Sequence, residues 1–209
     1  KKLFKQDSES FVLLNTLSYS WKGSVKIPES FENHHILNEG GNAIPLQRTE
    51  EGVFALVELN ALSFTTFKKG DSVVHNLEKD DNLSLENNLV RYEFDENGAL
   101  ISAYDKELEK EFMADLGNVL SLYEDRPNNW DAWDVDFFYR EALIETAKMT
   151  HASSHSKGSV LQQLKFEFKI GNSSIQQLVS LNPLSKRLDF LTNVDWNENH
   201  KMLRVHFPV

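Results

Sequence analysis

The chain has 209 residues, 40% of them aliphatic or aromatic, no cysteine, and a net charge of −10. That length and apolar content suit one large or two small domains with a real core, and exclude a disordered chain. Disulfides, thiolate metal sites and cysteine nucleophiles are excluded; the scattered Lys and Arg argue against a nucleic-acid or anionic-membrane partner; and no apolar run approaches the length of a membrane span.

In chain order, most segments read as short strands. FVLLNTLSYSW (11–21) is rich in β-formers, SVKI (24–27) alternates up to Pro28, and VFALVELNALSFTTF (53–67) alternates through Val53, Ala55, Val57 and Leu59. The polar stretch KKGDSVVHNLEKDDN (68–82) follows and marks the best domain boundary, giving regions 1–75 and 76–209. Beyond it, Val90, Tyr92 and Phe94 share one strand face, and Asp95-Glu96-Asn97-Gly98 turns into ALISAY, with Gly98 free to take positive φ. LKFEFKI, the turn Gly-Asn-Ser-Ser and IQQLVSL (164–181) repeat the scheme. RLDFLTNVDW (187–196) and KMLRVHFPV (201–209) alternate again across Asn-Glu-Asn-His. REALIETAKM (140–149) reads equally as helix or strand. Strands every 10 to 20 residues with turn chemistry between them predict an all-β chain of antiparallel sandwiches. A strand that stops at Phe-Pro-Val reads as one whose pairing strands are missing.

Most chemical motifs are absent from the sequence. No His belongs to an HExxH or has Asp two residues on; His75 with Glu78, and His151 with His155, have metal-ligand spacing only on a helix, and their polar surroundings read as solvated loops. No Gly-x-Ser-x-Gly is present, and the serines suit turns. YEDRPNNWDAWDVDFFY (123–139) differs. It concentrates two of the four Trp with three Asp inside six residues. Aromatic faces stack on pyranose C–H faces and carboxylates accept hydrogen bonds from sugar hydroxyls, so the pattern fits a sugar site. It equally fits a long surface loop docked by its Trp, with its Asp residues in turns and Arg126 paired to Asp125.

LYEDRPNNWDAWDVDFFY resembles the (L/F)-(F/Y)-(E/D)-D-(K/R)-P-x-x-W-D-A-W-D-(V/I) segment of α-mannosidases in glycoside hydrolase family 38. LENNLVRYEFDENGALISAYDKE, RLDFLTNVDWNENHKMLRVHFPV and VLLNTLSYSWKGSVKIPE resemble further stretches of the same family, and the matches cover essentially the whole chain. The resemblance implies a small immunoglobulin-like sandwich followed by the first part of a supersandwich like that of galactose mutarotase. It implies a zinc-dependent retaining α-mannosidase as parent, with the metal ligands and Asp nucleophile in an N-terminal domain outside this chain. The chain itself would then be non-catalytic and hold no metal, and would pack on its own catalytic domain. An α-mannoside or oligosaccharide would be the substrate, with self-association of the parent left open. The WDAWDV type resembles cytoplasmic and bacterial catabolic members.

Within that frame Trp130 and Trp133 are platform or packing residues. Asp131 and Asp134 accept hydrogen bonds from sugar hydroxyls or from the catalytic domain, and Asp125 and Arg126 join the same cleft or interface. The competing reading buries the Trp pair within the sandwich and uses its Asp neighbours as turn caps. In VDWNENHK (194–201), Glu198 and His200 are expected to serve a hydrogen-bonded turn. Two further readings stand beside the mannosidase region. One is a stand-alone carbohydrate-binding module. The other is a mutarotase-like epimerase, which needs a His facing a carboxylate in a cleft and has only His200 and His206 to offer.

Overall fold

The computed structural model describes residues 8–74, 82–130 and 133–209. The chain is all-β, as the alternation predicts, and divides into two compact units. The first gathers Lys1–Asp80 with His155–Gln162 and Leu181–Arg187; the second gathers Asp81–Ser154, Gln163–Ser180 and Leu188–Val209.

The first unit contains β1 (Ser10–Asn15), β2 (Trp21–Lys26), a 3₁₀ turn (Glu29–Phe31), β3 (His34–Leu37), β4 (Leu46–Thr49), β5 (Gly52–Leu59) and β6 (Ser63–Ser72). They form two antiparallel sheets, β1-β6-β3 and β2-β5-β4. Alternation along β5 sends Val53, Ala55, Val57 and Leu59 inward. There they meet Ile27, Phe31, Ile36 and Phe67, while Phe11 stacks on Phe67 at 5.4 Å and meets Phe31 edge-on at 5.0 Å. The run 53–67 is not one alternating strand. It breaks between β5 and β6, where Leu62 takes φ +47°. β6 also runs into the polar stretch that reads as a boundary; residues 75–81 of that stretch, including His75 and Glu78, lie outside the described residues.

Gln47 ties this unit to a distant piece of chain. Its Nε2 donates to Ser156 Oγ (2.6 Å) and to the Leu161 carbonyl (2.7 Å). Its Oε1 accepts from the amides of Val160 (2.8 Å) and Leu161 (2.9 Å). A side chain at Gly158 would collide with the same amide, its Cβ only 2.5 Å away.

The remaining elements are β7 (Ser84–Glu86), β8 (Val90–Phe94), β9 (Leu100–Asp105), β10 (Lys110–Glu111), β11 (Val119–Glu124), a 3₁₀ turn (Phe137–Glu141), β12 (Leu143–Thr146), β13 (Lys148–Lys157), β14 (Gln162–Ile170), β15 (Ser173–Leu181), β16 (Leu188–Asp195) and β17 (Lys201–His206); they belong to the second unit except for the end of β13 from His155, Gln162 of β14 and Leu181 of β15, which count with the first. Their sheets are β10-β9-β8-β7, β12-β11-β17 and β13-β14-β15-β16. Leu164, Phe166, Phe168 and Ile170 alternate inward along β14, and Phe166 lies 5.2 Å from the ring of Phe94. The β8–β9 turn forms as predicted. Asp95 accepts the amides of Asn97 and Ala99 at 2.8 Å, and Gly98 sits at φ +77°. A Cβ at Gly98 would also stand 2.8 Å from the Phe168 ring, so packing and backbone both require glycine.

The surroundings of His151 and His155 are not the loop that their sequence suggests. Residues 143–146 and 148–157 are strands, so His151 and His155 lie in β13 and not in a solvated loop; His155 is buried and bonds Glu50 through Nδ1 at 3.2 Å. β16 alternates in sequence but is largely exposed, and β17 is half-buried up to Arg204 with Val205 and His206 exposed; each lies at an outer position of its sheet, and β17 finds its partner in β11.

Glu111 closes the β9–β10 hairpin, accepting from Ser102 Oγ (2.6 Å) and the amides of Ala103 (2.8 Å) and Met113 (2.9 Å). Burial pushes its pKa up, but the Ser102 hydroxyl and the Met113 and Ala103 amides outweigh it, leaving the carboxyl below its usual range. A lowered folded-state pKa stabilises above the unfolded value, and the gain is lost as pH falls through the folded value. Glu111→Gln is therefore expected to reduce stability at neutral pH by no more than about 1 kcal/mol, given solvent screening, with the deficit closing in acid. Urea unfolding of both proteins across pH checks this; a deficit that persists in acid would show that the carboxylate charge is not its source.

Candidate functional site

The candidate loop begins where β11 ends. Glu124 and Ala142 close its neck through a 2.9 Å backbone bond, and Asp136 accepts the Asn128 amide at 2.7 Å across it. Pro127 cannot donate to a ladder, which helps end β11 before the loop. At the tip, Trp130 takes a left-handed conformation (φ +61°), and its carbonyl accepts the amides of Trp133 and Asp134, both at 2.9 Å. That tight turn throws both indoles outward. Trp130 is 68% and Trp133 82% exposed, their centroids 6.2 Å apart in an edge arrangement. Phe137 adds a third exposed ring. The reading that buries the Trp pair within the sandwich is thus not the arrangement this chain adopts.

The polar candidates divide. Asp134 Oδ1 caps the next amide, Val135, at 3.0 Å. Asp125 joins the structure through its backbone, donating to the His200 carbonyl at 2.8 Å. Arg126 pairs with Glu124 (Nε to Oε1, 2.8 Å), a correction to the Asp125 pairing read from sequence: along an extended strand, side chains two apart share a face and neighbours do not. Asp131 and Ala132 lie outside the described residues.

Glu198 and His200 occupy the β16–β17 turn, a short connection that closes no hairpin, because the two strands belong to different sheets. The Glu198 carboxylate is 2% exposed; it binds the Lys201 ammonium and accepts the Asn172 amide from the β14–β15 turn. The Lys201 bond, then the Asn172 amide, hold its pKa below the usual carboxylate range. Ser173 Oγ accepts the Asn197 amide at 2.9 Å, and Glu145 Oε1 accepts the Gly171 amide at 2.6 Å. These bonds join the two turns, and the His200–Asp125 bond joins them to the candidate loop.

Sequence reasoning missed an aromatic group on the face of β11 and β17. Tyr123 lies 5.4 Å from Tyr139, its hydroxyl is 3.2 Å from His206 Nε2, and the Arg204 guanidinium sits 4.8 Å from the Tyr139 ring. His206 also lines an open hollow of about 590 Å³ with Asp115, but its Nε2 is engaged by Tyr123 and Asp115 Oδ1 caps the Leu116 amide. The alternation of β17 puts Arg204 and His206 on one face; their contact with Tyr123 and Tyr139 depends on strand pairing that no local pattern displays. Among the described residues no group of three His, Asp or Glu side chains could hold a metal ion, and no helix is long and apolar enough to cross a membrane.

An all-β region that carries a solvent-facing Trp and carboxylate loop is the class this geometry defines. Residues 85–209 match the model of the glycosyl hydrolases family 38 C-terminal domain, and the chain belongs to that family. Alpha-mannosidase G of Dictyostelium discoideum is 31% identical over 138 residues, 61% of this chain and 13% of that protein. Alpha-mannosidase 2C1 of Homo sapiens is 32% identical over 139 residues, 63% of this chain and 13% of its own length. Alpha-mannosidase of Saccharomyces cerevisiae is 26% identical over 101 residues, covering 44% and 9%. The matched stretch thus spans about an eighth of the first two relatives.

Proposed function

We propose that this chain is the non-catalytic β-region of a zinc-dependent retaining α-mannosidase that removes terminal α-mannosides, and that its Trp loop lines the sugar cleft. The observation that carries this is the exposure of Trp130 and Trp133 in a member of this family. A loop docked on this chain's own sheets would hide two indoles; exposed ones are left to face the sugar cleft or the interface with the catalytic domain. A sugar platform needs their faces free, with acceptors beside them. Asp125, Asp131 and Asp134 are the acceptors this reading assigns, with Arg126 holding Glu124 aside.

Zinc, when bound in the parent, supplies Lewis-acid chemistry at the sugar. This reading assigns the metal site to the catalytic domain on which this chain packs. The immunoglobulin-like and mutarotase-like arrangement of the sandwiches and a cytoplasmic setting belong to the same reading.

In the full-length polypeptide, Trp130→Ala and Trp133→Ala are expected to raise KM for an aryl α-mannoside about tenfold, equivalent to roughly 1.4 kcal/mol. Stability should change little, because exposed rings leave no cavity. Asp131→Ala tests the neighbouring acceptor. Variants with unchanged KM, kcat and stability would remove the loop from the cleft. Activity and bound zinc measured on the 209-residue chain beside its parent test the wider reading: a folded, inactive, zinc-free chain supports it, and activity with stoichiometric zinc defeats it. The exposed platform also suits a free-standing carbohydrate-binding module, whose signature is mannoside binding by this chain alone.

A further inference from the structure

The β16–β17 turn holds an unusual residue. His200 takes φ +52°, a left-handed conformation that costs a non-glycine residue energy and persists where surroundings enforce it. Its carbonyl accepts the amide of Asp125, the first residue of the Trp loop, one step beyond the Glu124–Lys201 pair that ends the β11–β17 ladder. Glu198, two residues earlier, is locked on both sides, by Lys201 within the turn and by the Asn172 amide across from it. The facing turn is shaped to receive it. Gly171 is at φ +54°, and a Cβ there would collide with the Glu198 carboxylate. Glu145 then holds the Gly171 amide from the far side.

A short connection from one sheet to another needs none of this to carry the chain across. The clamp has a distinct product: a left-handed His200 whose carbonyl points at the root of the loop. We propose that Glu198 is a positioning residue for the Trp loop, acting through His200 on Asp125 and so setting where Trp130 and Trp133 stand. The link to sugar rests on the function proposed above; the link from Glu198 to the loop does not.

The two links are tested separately. In the 209-residue chain, amide hydrogen exchange reads the first. Glu198→Ala is expected to speed exchange at Asp125 about tenfold while Leu164 in β14 is unchanged. Glu198→Gln, which keeps an acceptor for Asn172 but loses the ion pair, should fall between. Lys201→Met keeps the Asn172 bond and provides a second probe should Glu198→Ala fail to fold; it should resemble Glu198→Gln. An Asp125 amide that exchanges at the wild-type rate in all folded variants overturns the proposal. In the full-length polypeptide, Glu198→Ala should raise KM about fivefold with kcat nearly constant, and Glu198→Gln should restore much of the loss. A purely structural role would lower both active fraction and apparent kcat and leave KM alone, which counts against the proposal. Faster exchange at Asp125 with no KM effect from Glu198→Ala, Trp130→Ala or Trp133→Ala would uphold the clamp and reject the sugar-cleft reading.

Discussion

Replacing Gln47 with alanine is expected to lower the unfolding free energy by roughly 3–4 kcal/mol, a large share of a typical domain's stability. Its amide makes four hydrogen bonds to Ser156, Val160 and Leu161, and it is itself 8% exposed. Truncation leaves two amides, a carbonyl and a hydroxyl without these partners in a region where Val160 and Leu161 are buried. Each buried group left unpaired costs about 1–3 kcal/mol, and water entering the gap recovers part of it. Ser156→Ala removes one bond of the four, together with the long Ser156 Oγ bond to the Leu161 carbonyl (3.4 Å), and should cost about 1 kcal/mol. Equilibrium urea unfolding compares the two; a Gln47→Ala protein no weaker than Ser156→Ala would mean that the network adds nothing beyond one bond.

Phe166→Ala is the second large effect, about 4 kcal/mol. The ring is fully buried on β14 and packs 5.2 Å from Phe94 and 6.1 Å from Phe168. Deleting it loses transfer energy and opens a cavity that neighbouring strands cannot collapse without breaking their ladders. Phe166→Leu refills most of the volume and should cost less than about 1.5 kcal/mol. The two sites belong to different units. Hydrogen exchange should therefore show Gln47→Ala loosening β4 and β5 first, and Phe166→Ala loosening β14 and β15 first. Uniform loosening in both variants would mean that the units unfold as one.

What the sequence displayed was whatever is local. Alternation in β5, β8 and β14 set Val53 with Val57, Val90 with Tyr92 and Phe94, and Phe166 with Phe168 each on one face; all of these are buried but Tyr92, which is half-buried, and Asp95 to Gly98 announced its turn. Period-two patterns carry that information because one face of each strand must be buried. They fail at β16, where the same alternation stands at an outer sheet position and much of it meets solvent. They fail at β13 as well, where Thr150, Ser153, Ser154 and Ser156 look like loop yet pair as strand. At the candidate site, sequence concentrated the aromatics and carboxylates correctly but could not orient them. The left-handed Trp130 that turns both indoles outward has no composition signal. Nor does Gln47, an unremarkable residue whose partners lie more than a hundred positions away.

That long reach has a consequence in time. The first unit is not finished when its first eighty residues have been made, because it also needs His155–Gln162 and Leu181–Arg187. A ribosome adding roughly 5–20 residues per second takes about 5–20 s to travel from Asp80 to Arg187. Through that interval Gln47 waits without its partners, and the six early strands must stay unaggregated as an incomplete body. Cutting the chain after residue 80 to obtain the small sandwich alone would make that waiting state permanent.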